Sequence, residues 1–274
     1  TAETYTTTLN SFRRFMHSRK KNSDIPFDKI DSSLMMEYEQ YLKFYDICPN
    51  SSSYYMRNLR AIYNRAVEKE LVIQRYPFKY VYTGIDKTVK RAVSAEIIRQ
   101  IRDLDLSHTP SLEYARDLFM FSFYTRGMSF VDMAYLKKSN LQNGFLSYCR
   151  KKTNQRLLIK PMQEIIDKYD TSNTPYLLPI IKNILKDNRG QYKNAIRLMN
   201  TKLKTIGMLI GLPIPLTTYV ARHAWASIAR SKNVQISTIS EAMGHDSEST
   251  TRIYLASLDT SIIDEANSLI IQTL

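Results

Sequence analysis

Only one stretch of this chain alternates its side chains as a β-strand requires, GFLSYCRKKTNQRLLIKP at residues 144–161. Phe145, Ser147 and Cys149 would face one side, and Leu146, Tyr148 and Arg150 the other. A polar turn falls near Thr153 to Gln155, and Pro161 closes the second strand. Elsewhere apolar residues return at three- and four-residue intervals, the period of a helix with one buried face. Leu9, Phe12, Phe15 and Met16 form such a stripe; so do Leu34, Met35, Tyr38, Tyr41 and Leu42, and Tyr55, Leu59, Ile62, Tyr63 and Ala66. The pattern predicts a mainly α protein with a small β-hairpin or sheet in its second half.

The periodicity stops over YTGIDKTVKRAVS, residues 82–94, where a glycine and the cations Lys87, Lys90 and Arg91 gather. This divides the chain into a small helical unit at 1–82, a basic linker at 83–93 and a larger unit at 94–274. Helices of the larger unit are expected at about 94–104, 110–125, 162–169, 176–186, 190–210, 217–231, 234–242, 247–256 and 259–272. Asp31 or Ser32 suits the cap of the second helix, and Thr217 or Thr218 the cap of the helix that carries Arg222.

The 39 Lys and Arg against 26 Asp and Glu give a net charge of +13, so the long-range field attracts polyanions, either nucleic acid or an anionic membrane surface. No apolar run reaches the roughly 18 residues of a spanning helix. The opening TAETYTTTLN has neither the basic nor the apolar region of a signal peptide, and it begins without methionine, so the natural chain is expected to extend upstream. Cys48 and Cys149 form no CxxC pair. A reducing cytoplasm, with no zinc site and no disulfide framework, is the expectation.

Three segments carry residues with chemistry: YVARHAWA with Tyr219, Arg222 and His223, AMGHDSESTT with His245, and IYLASL with Tyr254. Their order and spacing resemble the tyrosine recombinases, the phage-integrase-type site-specific recombinases. In these a helix bearing H-x-x-R-H precedes L-G-H and then a nucleophilic tyrosine. The resemblance extends over the whole chain and implies a helical core DNA-binding, SAM-like domain followed by a catalytic domain, the two clamping a duplex between them.

It also implies a reaction. A phenol attacks a DNA phosphate, cations neutralise the growing oxyanion, and an acid protonates the leaving 5′ oxygen. A 3′-phosphotyrosine stores the bond energy, so neither ATP nor a metal is needed; no cofactor is expected, and the sequence shows no P-loop. In that scheme Tyr254 is the nucleophile, Arg222 a phosphate clamp and His245 a hydrogen-bond donor to the phosphate. His223 transfers protons or holds the site together, and Lys152, directly before Thr153, is the general acid in preference to Lys151.

Two departures stand out. Aligning YTRGMSFVDMAYL with the family's T-G-L-R-x-x-E segment, Gly127 on its glycine and Asp132 on its acid, leaves Ser129 where the first arginine belongs. Arg150, two residues before Lys152 and so on the same strand face, is the favoured replacement, with Arg126 the alternative. The second departure is Tyr219 in place of histidine; a phenol can donate a hydrogen bond but is a poor base at neutral pH.

The implied partner is double-stranded DNA, contacted at Arg57 and Lys90 among others. A tetramer on paired sites is expected, helped by the final helix and by a DNA-bending accessory protein, in a bacterial cytoplasm. The leading function is a mobile-element or phage integrase. A catalytically impaired DNA-binding relative and a type IB topoisomerase-like relaxing enzyme stay open as alternatives.

Overall fold

The computed structural model describes residues 2–19, 24–86, 92–169 and 174–255, with Ala2, Ile253 and Tyr254 described by backbone alone. The chain divides into two compact units, Thr1–Val89 and Lys90–Leu274. Lys90 and the helix expected at 259–272 lie outside the described residues.

The first unit is built from α1 (Ala2–Ser18), α2 (Ser32–Phe44) and α3 (Pro49–Glu68). Asp31 caps α2, its Oδ1 accepting from the Leu34 amide at 2.8 Å. Tyr38 sits at the centre, fully buried among Phe12, Phe15, Met16 and Met35. Its ring meets Phe12 edge-on at 5.1 Å, and its hydroxyl donates to Ser11 Oγ at 2.8 Å, so burial leaves no orphaned polar atom. The apolar stripes are offset from the sequence reading. Leu9 is exposed while Thr8 is buried, bonding back to the Thr4 carbonyl, and α3 turns Met56 and Tyr63 fully inward with Tyr55 and Leu59 at the margin.

The segment read as the start of a linker is bound to this unit. Ser53 Oγ donates to the Gly84 carbonyl at 2.5 Å, Asn50 exchanges two hydrogen bonds with the Asp86 backbone, and the Tyr82 amide donates to Glu39 Oε1 at 2.7 Å. Arg57 joins them, its Nη1 donating to the carbonyls of Thr83 and Gly84.

The second unit places α5 (Pro110–Tyr124) at its centre, packed against α4 (Ala95–Asp103), α7 (Gln163–Tyr169), α8 (Asn188–Leu209) and α9 (Thr218–Ser231). Residues 117–122 of α5 are buried without a break, as a helix enclosed on all sides requires. Asp117, the charge in that run, is held by Arg116, Lys168 and Tyr169. Short helices α6 (Phe130–Ala134), α10 (Ile236–Ala242) and α11 (Glu248–Leu255) complete it.

The sheet has three antiparallel strands in the order β1 (Leu141–Gln142), β2 (Phe145–Cys149), β3 (Arg156–Ile159), where two were expected. The first hairpin turns at Asn143-Gly144, both left-handed (φ 51° and 77°), the residue pair that such a two-residue turn selects. In the second, Leu146 and Tyr148 face the core as the alternation predicted. Residues 176–186 are not the helix expected. Tyr176, Leu177, Leu178, Ile180 and Ile181 are all buried around Pro179, and an almost unbroken buried run suits irregular chain threading the core better than a two-faced helix.

Candidate active site

α9 brings the first cation into place. Val220, Ala221 and Ala224 are fully buried in the main core, and Ala226 is fully buried against Ile239, Met243 and Leu255 on the other side. Arg222 lies within this sequence and is itself buried, so its guanidinium must be paired inside the protein. Nη1 donates to the Gly127 carbonyl at 2.7 Å, and Nη2 donates to the Met243 carbonyl at 2.7 Å. Nη2 also meets His245 Nε2 at 2.9 Å. A guanidinium only donates, so Nε2 accepts and the imidazole proton is assigned to Nδ1. That nitrogen meets Thr251 Oγ1 at 2.7 Å.

Glycines allow the approach from both sides. Arg126 and Gly127 are left-handed (φ 61° and 72°) where α5 ends, and a Cβ on Gly127 would stand 2.7 Å from Arg222 Cα. α10 ends at Gly244 (φ 62°) in a Schellman turn: the His245 amide donates to the Ser240 carbonyl at 3.0 Å and the Gly244 amide to Glu241 at 2.9 Å. The carbonyls at this end point onward and collect cations. Met243 accepts from Arg222, and Gly244 accepts from Arg150 Nη1 at 2.6 Å and from Thr153 Oγ1 at 3.0 Å.

Arg150 and Lys152 do not share a strand face, because β2 ends at Cys149 and both residues lie in the turn to β3. The turn separates their environments. Arg150 is buried, with Nε 3.9 Å from Asp132 Oδ2 and making no hydrogen bond among the described residues. Lys152 is exposed, and near enough to help depress the His245 pKa. Lys151 points elsewhere, its ammonium 3.3 Å from the centre of the Tyr135 ring.

Ser129 has a structural task. It caps α6, accepting from the Asp132 amide, and its hydroxyl donates to Asp132 Oδ2 at 2.6 Å. Asp132 accepts from the Lys151 amide as well and ion-pairs with Arg150, so this carboxylate fastens the turn to α6. Arg126 is half-buried and, with Gln155, Trp225, His245 and Glu248, lines a cavity of about 940 Å³.

Burial, then the charges of Arg222, Arg150 and Lys152, push His245 down to about 4 from its ordinary 6.5. It is neutral at pH 7. Two buried guanidiniums against one buried carboxylate leave a positive pocket, the arrangement that accepts an anion such as phosphate.

Tyr219 and His223 pack edge to face at 4.4 Å between ring centres, with Tyr219 half-exposed. Thr217 stands at the N-cap of α9 without capping it; Asn200 of α8 does so, accepting from the Thr218 amide at 2.9 Å. Tyr254 lies on α11, three residues after Thr251, and its side chain is outside the described residues. The sequence reading missed Thr251, Thr153 and Gln155, which tie His245 and Gly244 to α11 and the hairpin turn. A threonine three residues before the tyrosine was the available signal. Among the described residues no group of three or more His, Cys, Asp or Glu is placed to hold a metal, and no helix is long and apolar enough to cross a membrane.

Comparison with known proteins agrees with this geometry. Residues 1–84 match the phage integrase SAM-like domain. Tyrosine recombinase XerC of Rickettsia prowazekii (strain Madrid E) is 28% identical over 134 residues, 48% of this chain and 43% of that protein, so the match spans less than half of the relative's length. A lambda integrase dimer bound to a COC′ core site superposes with a TM-score of 0.67 at 15% identity, covering 91% of this chain and 69% of that one. XerH recombinase bound to palindromic difH substrate gives 0.66 at 16%, covering 97% and 78%. The chain is thus similar to tyrosine recombinases, in sequence over about half of its length and in fold over nine-tenths of it. Ser129, which the sequence resemblance aligns with the family's first arginine, caps α6 here, and Asp132 pairs with Arg150 from the hairpin turn.

Proposed function

We propose that this protein is a tyrosine recombinase, a site-specific integrase of a mobile element or phage, that cuts and rejoins DNA through a 3′-phosphotyrosine at Tyr254. One observation carries the reading: the end of α10 gathers two buried guanidiniums, Arg222 and Arg150, beside His245. A scissile phosphate there exchanges its hydration for these donors. Charge developing in the phosphorane is then met by cations the fold already holds in the site, which lowers the barrier.

Arg222 clamps one non-bridging oxygen. Arg150 supplies the cation that Ser129 cannot, and its buried, unbonded Nε is a donor waiting for an acceptor. Lys152, exposed on the hairpin turn, protonates the leaving 5′ oxygen. Tyr219 and His223 flank the site, holding the phosphate by hydrogen bonds or relaying protons. The presence of a second buried cation argues against an impaired relative. The substrate is duplex DNA, a reading supported by the similar lambda integrase bound to a COC′ core site and XerH bound to difH substrate. Assembly as a tetramer on paired sites follows from a lambda integrase tetramer bound to a Holliday junction.

The test uses nicked suicide DNA bearing the element's crossover site. The wild-type chain should form a covalent adduct, Tyr254→Phe none, and paired sites should recombine. An adduct that survives in Tyr254→Phe refutes the assignment; relaxation of a plasmid with a single site and no recombination points to a topoisomerase.

A further inference from the structure

Thr251 has no assigned part in the chemistry, yet it is fully buried on the helix that bears Tyr254 and bonds to His245 Nδ1 at 2.7 Å. With Arg222 on the other nitrogen, His245 is an acceptor at Nε2. Donating to a phosphate requires the proton to be on Nε2. Changing tautomer, with no change of charge, requires a partner at Nδ1 that accepts in one state and donates in the other. A hydroxyl is such a partner; a carboxylate or a carbonyl is not, because it only accepts and fixes the proton on Nδ1.

We infer that Thr251 is a positioning residue that lets His245 change from accepting a hydrogen bond from Arg222 to donating one to the scissile phosphate, and that it does so only while α11 is docked. The proton balance closes locally. When Arg222 turns to the phosphate, His245 releases the Nδ1 proton and takes one at Nε2 through solvent, and the Thr251 hydroxyl rotates to donate to Nδ1. No group gains or loses net charge. Because Thr251 and Tyr254 share α11, the donor form of His245 is available when the nucleophile's helix is seated.

The inference rests on the recombinase reading, and its test has an arm that does not. Selective ¹⁵N labelling of histidine resolves the ring nitrogens of a chain with only 4 His. In the free wild-type protein His245 should show a protonated Nδ1 and a bare Nε2. Thr251→Val, nearly the same shape without the hydroxyl, should change the Nδ1 signal, and Thr251→Ser should restore it. In single-turnover cleavage of the suicide DNA, Thr251→Val should lose roughly ten- to hundred-fold in rate with site affinity unchanged, as expected when Nδ1 of the donor form is left a buried acceptor without its hydroxyl. Thr251→Ser should recover most of it. Wild-type shifts with the proton on Nε2, a valine variant with wild-type rate and spectrum, or valine and serine variants that lose rate alike would each overturn the inference. Absence of any wild-type adduct with normal shifts would instead overturn the recombinase reading.

Discussion

His245 concentrates the physics of the site. Its imidazole is buried against two guanidiniums and an ammonium, so the folded protein resists protonating it, with a pKa of about 4 against 6.5. Between those values the unfolded chain binds more protons than the folded one, and stability therefore rises with pH across the window. The contribution is complete above about 6.5 and lost as the pH falls through 4. Thermal melts from pH 7.5 to 4 should show a decline that is shallower in His245→Gln, which keeps a polar side chain but does not titrate. Equal declines would mean that His245 is not the titrating group. A bound phosphate offsets the neighbouring cations, so DNA should move the histidine pKa upward.

At the scale of elements, the hairpin turn and the end of α10 favour Arg150 over Arg126 as the cation proposed in place of Ser129. Arg150 is drawn onto the Gly244 carbonyl and braced by Asp132, whereas Arg126 lines the adjoining cavity from the turn after α5. Alanine at Arg150 should cost about 10² to 10³ in cleavage rate, the scale of losing one oxyanion donor, and alanine at Arg126 ten-fold or less. The reverse order in single-turnover cleavage would transfer the role to Arg126. The sequence already displayed much of this. Period-2 alternation exposed β2 and β3, and helical spacing exposed α8 and α9, because those patterns record a single buried face. It failed where burial has no period. Residues 176–186 are apolar because they thread the core, and β1 was announced only by Asn143-Gly144. For the site, residue types in order singled out Arg222 and His245, which the structure brings into contact, and Tyr254, whose side chain lies outside the described residues. The strand argument for Arg150 used the wrong geometry, since the strand ends one residue earlier. Thr251 stands in the threonine pair before Tyr254, but its bond to His245, six residues away through a helix-end turn, has no signature in spacing.

For the molecule as a whole, the net charge of +13 predicts DNA affinity that falls steeply with salt. Counterion release makes the slope of log affinity against log salt a count of phosphate contacts, each worth about 0.9. This separates two tasks for Arg57. From sequence it was a DNA contact, but its guanidinium donates to the carbonyls of Thr83 and Gly84, where Ser53 and Asn50 also fasten the 82–86 segment to the first unit. Arg57 is the tether of the 82–86 segment, and removing it should free that segment without removing a phosphate contact. Arg57→Ala in the full chain should therefore lower the melting temperature and raise hydrogen exchange at 82–86, while the salt slope for DNA binding stays within error of wild type. If the slope instead falls by about one with the melting temperature unchanged, Arg57 leaves those carbonyls for a phosphate when DNA arrives.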